Sequence, residues 1–275
     1  MKKIGYLGPA GTNAEAAAIK YSAGTSAELV PFETIFDVIA ACDAGSVEEG
    51  VVPIENSSEG SVSITLDLLA SKDTKVKICQ EIDIPINHCL LVRAGTALAD
   101  IKDVISHPQG LAQCQHYIRK NLGSVTTHAA TSTAAAAESI AAGKFPHGAA
   151  IAAKILAEKL GLVILAEKIN DFESVTRFVV LSKKDHAPTG NDKTSVVLSA
   201  KKDKPGVLFA ILGELAKRSI NLTKIESRPR KKMLGDYIFF IDLQGHRKDT
   251  KISAAIKSMG QKASFFKLLG SYPEA

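Results

Sequence analysis

Residues 2–23, KKIGYLGPAGTNAEAAAIKYSA, decide the fold class. KKIGYLG reads as a strand, GPAGT as a turn-rich break, and NAEAAAIKYSA as a helix rich in alanine, a strong helix former. The same strand–loop–helix grammar recurs at residues 48–71 (EEGVVPIENSSEGSVSITLDLLAS), 102–120 (KDVISHPQGLAQCQHYIRK) and 123–143 (GSVTTHAATSTAAAAESIAAG). Alternation of this kind predicts an α/β architecture with mainly parallel sheets covered by helices. Two long extended stretches break the pattern, VKICQEIDIPINHCLLV (76–92) and LVILAEKINDFESVTRFVVLS (162–182). Each reads as a crossing between two lobes, one of residues 1–80 with 165–185 and the other of 81–164, with a ligand cleft between them. A single continuous sheet is the alternative arrangement of the same elements.

The chain has 275 residues, a length that suggests two domains, with 45% hydrophobic and 23% charged residues. This is the composition of a globular protein, and it excludes collagen and disorder. The absence of a long apolar run predicts no membrane span, and the opening residues do not resemble a signal peptide, so a cytoplasmic location is expected. Residues 1–190 carry 17 basic and 21 acidic groups, and residues 191–275 carry 17 and 8. The change coincides with SKKDHAPTGNDK (182–193), a polar stretch with Pro188 and Gly190 that reads as a linker. Beyond it, TSVVLSA is a strand. PGVLFAILGELAKR is a helix with Val207, Leu208, Ile211, Leu212 and Leu215 on one face. Two strands follow, INLTKIESRPR and DYIFFIDLQG, joined through KKMLG. A helix with Ile252, Ala255, Ile256 and Met259 on one side and the strand KASFFKLLGSY complete a ferredoxin-like βαββαβ order. Arg228, Arg230, Lys231 and Lys232 cluster on the hairpin. A solvated hairpin explains them without nucleic acid, since no aromatic residues interleave.

Hydroxyls and amides gather where helices begin. Thr12 with Glu15, and Ser106 with Gln109, have capping-box spacing, and Pro108 suits a first helical turn. Asn56, Ser57 and Ser61, then Thr131, Ser132 and Thr133, stand at comparable junctions. Each alone reads as a cap, but together, at the carboxyl ends of strands, they imply a small anionic ligand. GPAGT lacks the Lys-Ser/Thr ending of a P-loop and the third glycine of a dinucleotide fingerprint. Thr176 and Arg177 precede the apolar run FVVLS. A substrate-facing threonine with a carboxylate-binding arginine is one reading, and a surface hydroxyl beside a structural ion pair is the other. His88, His107, His116 and His128 lack a Ser or Asp at diagnostic spacing, and His107 in SHPQ reads as loop architecture. Cys42, Cys79, Cys89 and Cys114 lack paired spacing, so buried reduced thiols are expected and no metal site.

The ordered motifs GPAGT (8–12), VPIENSSEGSV (52–62), SHPQGLAQC (106–114), TSTAAAA (131–137), TRF (176–178), PGVLF (205–209) and ESRP (226–229) give the chain an end-to-end resemblance to prephenate dehydratases carrying a C-terminal ACT domain. The resemblance implies a bilobed catalytic domain, residues 1–185, like the type II periplasmic binding proteins, and an ACT regulatory domain, residues 192–275. It implies a carbon–oxygen lyase that converts prephenate to phenylpyruvate with loss of carbon dioxide and water, without a cofactor. Thr176 takes the catalytic proton-donor role, and Thr12, Asn56, Ser57, Ser106, Gln109, Thr131, Thr133 and Arg177 line the substrate site. Phenylalanine is the implied effector, bound by Gly206, Val207, Leu208, Asn221, Leu222, Glu226, Ser227, Arg228 and Pro229 in a homodimer or dimer-based homotetramer.

Two motifs depart from the family pattern. Asn13 and Ala14 follow GPAGT where an aromatic residue and a Ser or Thr are usual, and Ser174 stands where Asn is common. The expected consequence is altered rate or affinity. Arogenate as substrate, and a non-catalytic two-lobed sensor of small anions or amino acids, are the competing functions.

Overall fold

The computed structural model describes residues 1–200, 205–230 and 237–275. The chain begins with β1 (Lys2–Leu7), α1 (Asn13–Ser22), β2 (Ala27–Phe32), α2 (Ile35–Ala44), β3 (Glu49–Asn56), the two-residue β4 (Gly60–Ser61), α3 (Ser63–Ala70) and β5 (Lys77–Pro85). It crosses through Ile86 and Asn87 to β6 (His88–Val92), β7 (Asp103–Ser106), α4 (Pro108–Gln113), α5 (Gln115–Asn121) and β8 (Thr126–Ala129). Next come α6 (Thr133–Ala141), β9 (Gly148–Ala153), α7 (Ile155–Leu160) and β10 (Val163–Ala166). Residues 167–174 cross back to β11 (Val175–Ser182). The last part is β12 (Asp192–Ala200), α8 (Val207–Ala216), β13 (Leu222–Pro229), β14 (Tyr237–Gln244), α9 (Thr250–Lys262) and β15 (Ala263–Pro273).

Three sheets result. The first has the order β2-β1-β3-β11-β5, with β4 attached to β3, and the second β10-β6-β9-β7-β8. Two separate sheets joined by two crossings are bilobed, and the single-sheet arrangement is excluded. The expectation of mainly parallel sheets needs correction. β1 is parallel to β2 and β3, and β7 to β8 and β9, but β11 is antiparallel to β3 and β5, and β6 to β9 and β10. Apart from the short β3–β4 hairpin, these antiparallel pairs involve crossing strands, because a chain that leaves along one strand and returns beside it runs in the opposite sense. The third sheet, β13-β14-β12-β15, is antiparallel throughout and has the anticipated βαββαβ order. Lys231 and Lys232, with the KKMLG connection, lie outside the described residues.

The first sheet is buried on both faces. On one, Ala14, Ala17 and Ala18 of α1 cover Ile4, Tyr6, Val51, Phe178 and Val180. On the other, α2 and α3 share a core with the third sheet, where Ile54, Leu66, Ile78 and Val179 meet Val197, Phe240, Leu269 and Tyr272. Approach there is close: a Cβ on Gly270 of β15 would collide with the backbone of Ile78. Lys267 of β15 donates to the carbonyls of Leu69, Ser71 and Thr74 at 2.7, 2.6 and 2.8 Å, satisfying groups at and beyond the end of α3. The outer face of the third sheet is covered by α8 and α9 through Ile211, Leu215, Ile252, Ala255 and Met259. Val207 and Leu208 are half-buried, and Phe209 is 80% exposed. The 182–193 stretch is short and docked, with Asp185 paired to Arg247 at 2.5 and 2.8 Å.

Candidate active site

A cleft of about 560 Å³ opens between the first two sheets. The first lobe contributes Pro9, Thr12, Asn13, Pro53, Asn56, Thr176 and Phe178, and the second His88, Gln109, Gln113, Thr131, Ser132 and Thr133. The N-termini of α1 and α6 reach it from opposite lobes. Thr12 caps α1 by accepting from the Glu15 N–H, and Ser132 caps α6 by accepting from Ala135 N–H. Two helix starts bring the partial positive charge of their N-termini to one cleft, which the Glu33 carboxylate also lines.

The first-lobe floor depends on an irregularity. Phe178 pairs with Pro53 but Arg177 with Glu55, so Ile54 is an extra residue on β3. The bulge reverses the alternation of β3 and turns Asn56 toward the cleft beside Thr176. The Asn56 Oδ1 accepts from the N–H groups of Ser58 and Glu59 at 2.8 and 3.2 Å, which fixes the amide. Its Nδ2 donates to Thr176 Oγ1 at 2.8 Å and to Ser174 Oγ at 3.3 Å, and Ser58 donates to Ser174 at 3.1 Å. Since an amide nitrogen only donates, Thr176 accepts here and its own hydroxyl proton remains to be given elsewhere. Ser174, the departure from the family pattern, is buried and helps hold the Asn56 amide.

Six of the nine expected catalytic and substrate residues line the cleft: Thr12, Asn56, Gln109, Thr131, Thr133 and Thr176. Three are placed otherwise. Ser106 is fully buried and donates to the Ile151 carbonyl at 2.7 Å; the α4 cap is His107, whose Nδ1 accepts from Gln109 N–H. Ser57 splices its loop to β11, accepting from Val175 N–H at 3.0 Å while its own N–H donates to Val175. Arg177 points to the opposite face, because successive residues of a strand alternate sides and Thr176 faces the cleft. Its guanidinium meets Glu55, Glu81 and Asp242. Burial opposes its charge, but Asp242 together with Tyr272, Glu55 and Glu81 holds its pKa above the ordinary value.

His88 and Gln113 were not anticipated. His88 Nε2 lies 2.9 Å from Gln113 Oε1, and burial lowers the His88 pKa, so the neutral ring donates and the Gln113 amide is oriented. Gln113 Nε2 is buried without a hydrogen-bond partner among the described residues. The sequence held one signal for Gln113, its position four residues after Gln109 on the same helical face. A further contact joins the lobes beside the cleft: Glu15 of α1 accepts from Gly11 N–H at 2.7 Å and from Lys159 of α7 at 2.5 Å. Burial works against the Glu15 charge, but the Lys159 and Gly11 hydrogen bonds hold its pKa below the usual value.

The effector positions split along the third sheet. Gly206 caps α8 in the left-handed conformation, ahead of Val207 and Leu208. Asn221 and Leu222 stand at the start of β13, and Glu226, Ser227, Arg228 and Pro229 at its end. Glu226 accepts from Ser61, and Arg228 bonds Ser63 at 2.7 Å and Asp67 at 3.2 Å, so this motif touches the loop and helix that follow Asn56.

Fold and site define a two-lobed α/β protein with a polar cleft between the lobes, reached by two helix N-termini, and a βαββαβ module docked behind one lobe. The family description "Prephenate dehydratase" matches residues 4–186, and "ACT domain" matches residues 194–261. The chain belongs to the prephenate dehydratase family. The prephenate dehydratase of Methanocaldococcus jannaschii is 43% identical over 279 residues, covering 99% of this chain and 98% of that one. A solved prephenate dehydratase from Arthrobacter aurescens, in complex with L-Phe, has a TM-score of 0.92 at 37% identity, covering 99% of this chain and 90% of that one. GqqA, described as a novel type of quorum-quenching acylase, has a TM-score of 0.88 at 28% identity, covering 100% and 98%.

Proposed function

We propose that this chain converts prephenate to phenylpyruvate and is restrained by phenylalanine acting through its ACT module. The observation that carries this reading is the fixed Asn56 amide donating to Thr176 Oγ1 at 2.8 Å. Prephenate is a dianion, and its two carboxylates suit the helix starts of α1 and α6. As the ring carboxylate leaves as carbon dioxide, its bonding electrons aromatise the ring and expel the 4-hydroxyl. Thr176 gives that group its proton, and water departs. The prephenate dianion and one proton thus become the phenylpyruvate anion, carbon dioxide and water, and solvent restores the Thr176 proton. A threonine is a weak acid, so the Asn56 N–H is needed to stabilise the developing alkoxide. Aromatisation supplies much of the driving force, leaving positioning to the protein.

In this reading residues 1–185 are catalytic and 192–275 regulatory. Seven strand steps separate Leu222 from Pro229, roughly 23 Å at about 3.3 Å per residue. One phenylalanine reaches both ends of β13 only where two modules meet, which supports a homodimer or a dimer of dimers. A cytoplasmic location fits the four buried free cysteines. The test is phenylpyruvate formation by the purified chain, with and without phenylalanine, beside Thr176→Ala. Turnover that phenylalanine suppresses and the variant lacks supports both halves of the reading. Phenylalanine binding by a folded chain that leaves prephenate intact overturns the enzyme and leaves a sensor.

A further inference from the structure

We infer that Arg177 is a positioning residue through which the state of the ACT module reaches Thr176; the inference rests on the dehydratase reading above. Thr176 and Asn56 form one rung of the β3–β11 pair, and Arg177 and Glu55 form the next. The first rung faces the cleft and the second faces the third sheet. Arg177 Nη1 lies 3.2 Å from Glu81 and 3.1 Å from Asp242 of β14, and Nη2 lies 3.0 Å from Glu55. Both anchoring acids are held in turn. Lys193 of β12 bonds Glu81 at 2.8 Å, and Ser195 donates to the other Asp242 oxygen at 2.5 Å.

The charged chain continues into the ESRP motif. Lys224 of β13 lies 3.1 Å from Glu55 and 3.5 Å from Glu226. A continuous line of ion pairs, Glu226–Lys224–Glu55–Arg177–Asp242, therefore runs behind the catalytic rung. Glu81 and Asp242 are buried, and pulling a buried charge from its partner is strongly unfavourable. A shift of the third sheet thus carries Arg177 and Glu55 with it instead of leaving them behind. The backbone of one strand pair then passes the movement to Asn56 and Thr176, where proton transfer depends on hydrogen-bond distance.

The test uses the full chain and reads kcat and KM for prephenate, phenylalanine binding by calorimetry, and inhibition. Arg177→Met is expected to lower kcat on the order of tenfold with KM nearly unchanged, and Arg177→Lys to recover part of the loss. Asp242→Asn is expected to bind phenylalanine as the parent does while inhibition weakens on the order of tenfold. A raised KM with intact kcat in Arg177→Met overturns the inference, because it makes Arg177 a substrate ligand. If the Arg177 variants do not fold, Lys224→Met interrupts the same line between Glu226 and Glu55, and unchanged inhibition there overturns the coupling. Hydrogen exchange separates this inference from the reading beneath it, since it needs no turnover. Phenylalanine should alter protection of residues 51–58 and 174–178 in the parent and not in Asp242→Asn; an identical response in both rejects the coupling.

Discussion

Along their main strand orders the first and second lobes share a plan, two parallel strand pairs beside two antiparallel ones, but they are held in different ways. Behind the first lobe stands the whole third sheet, and their side chains form one core. The second lobe has clusters drawn only from residues 89–169 among those described, and it joins the first through Ile86–Asn87 and 167–174. Thr176 and Asn56 thus belong to the anchored side, and α6 with Gln109 and Gln113 to the hinged side. The difference teaches that the docked third sheet backs the strand pair carrying Thr176 and Asn56, while the opposing lobe has no such backing among the described residues.

The sharpest way to break this assignment is Thr176→Ala. Loss of a general acid is expected to cost about 10²–10⁴-fold in kcat with folding intact, and Thr176→Ser should keep part of the rate. An active alanine variant, measured by phenylpyruvate absorbance, would remove the acid from the anchored lobe. Next come paired core truncations. Phe240→Ala should cost about 3–5 kcal/mol and loosen both the first and third sheets, whereas Leu90→Ala should cost about 2–5 kcal/mol and loosen the second lobe alone. Hydrogen exchange during urea unfolding distinguishes them, and uniform loosening by Leu90→Ala would erase the contrast.

A smaller effect concerns pH. The folded pKa of His88 lies below its unfolded value of 6.5, so its neutral burial contributes stability that is fully present above pH 6.5 and is lost as pH falls through the folded pKa. Second-lobe amides should lose protection between pH 7 and 5 more than third-sheet amides do, and replacing His88 by Gln should flatten that dependence. The smallest effect is expected from Lys159→Met, which removes the inter-lobe bridge to Glu15. With Lys159 38% exposed, the bridge contributes less than about 1 kcal/mol. KM should rise less than about tenfold with phenylalanine binding unchanged. A larger change would mean that this bridge, rather than the anchored floor, governs closure.

Much of the fold was legible because local signals agreed: strand, Gly-Pro break, alanine-rich helix, and a βαββαβ tail with clear helical faces. Where they conflicted, the sequence was silent. GAAIAA of β9 forms a buried central strand from alanines, poor strand formers, because neighbouring strands and helices leave little room for side chains. At the cleft, residue types at helix starts revealed Thr12, Thr131 and Thr133. Facing was harder to read. The family resemblance places Arg177 at the substrate with Thr176, although a strand sends neighbours to opposite sides, and Asn56 reaches the cleft only through a bulge set by long-range pairing. Ser106 has the spacing of a cap but spends its hydroxyl on Ile151 across the sheet.

The composition changes near residue 190, yet the core does not stop there. A chain cut at residue 185 would keep every cleft-lining residue and expose Ile54, Leu66, Ile78 and Val179, which the third sheet now shields. The regulatory part therefore cannot be exchanged for an unrelated one as an interchangeable cartridge. A chimera would need to carry over the inner surface of the replacement sheet, with a small residue matching Gly270 opposite Ile78 and an acid matching Asp242 opposite Arg177. Portability is limited by that buried surface, even though the linker itself spans only residues 183–191.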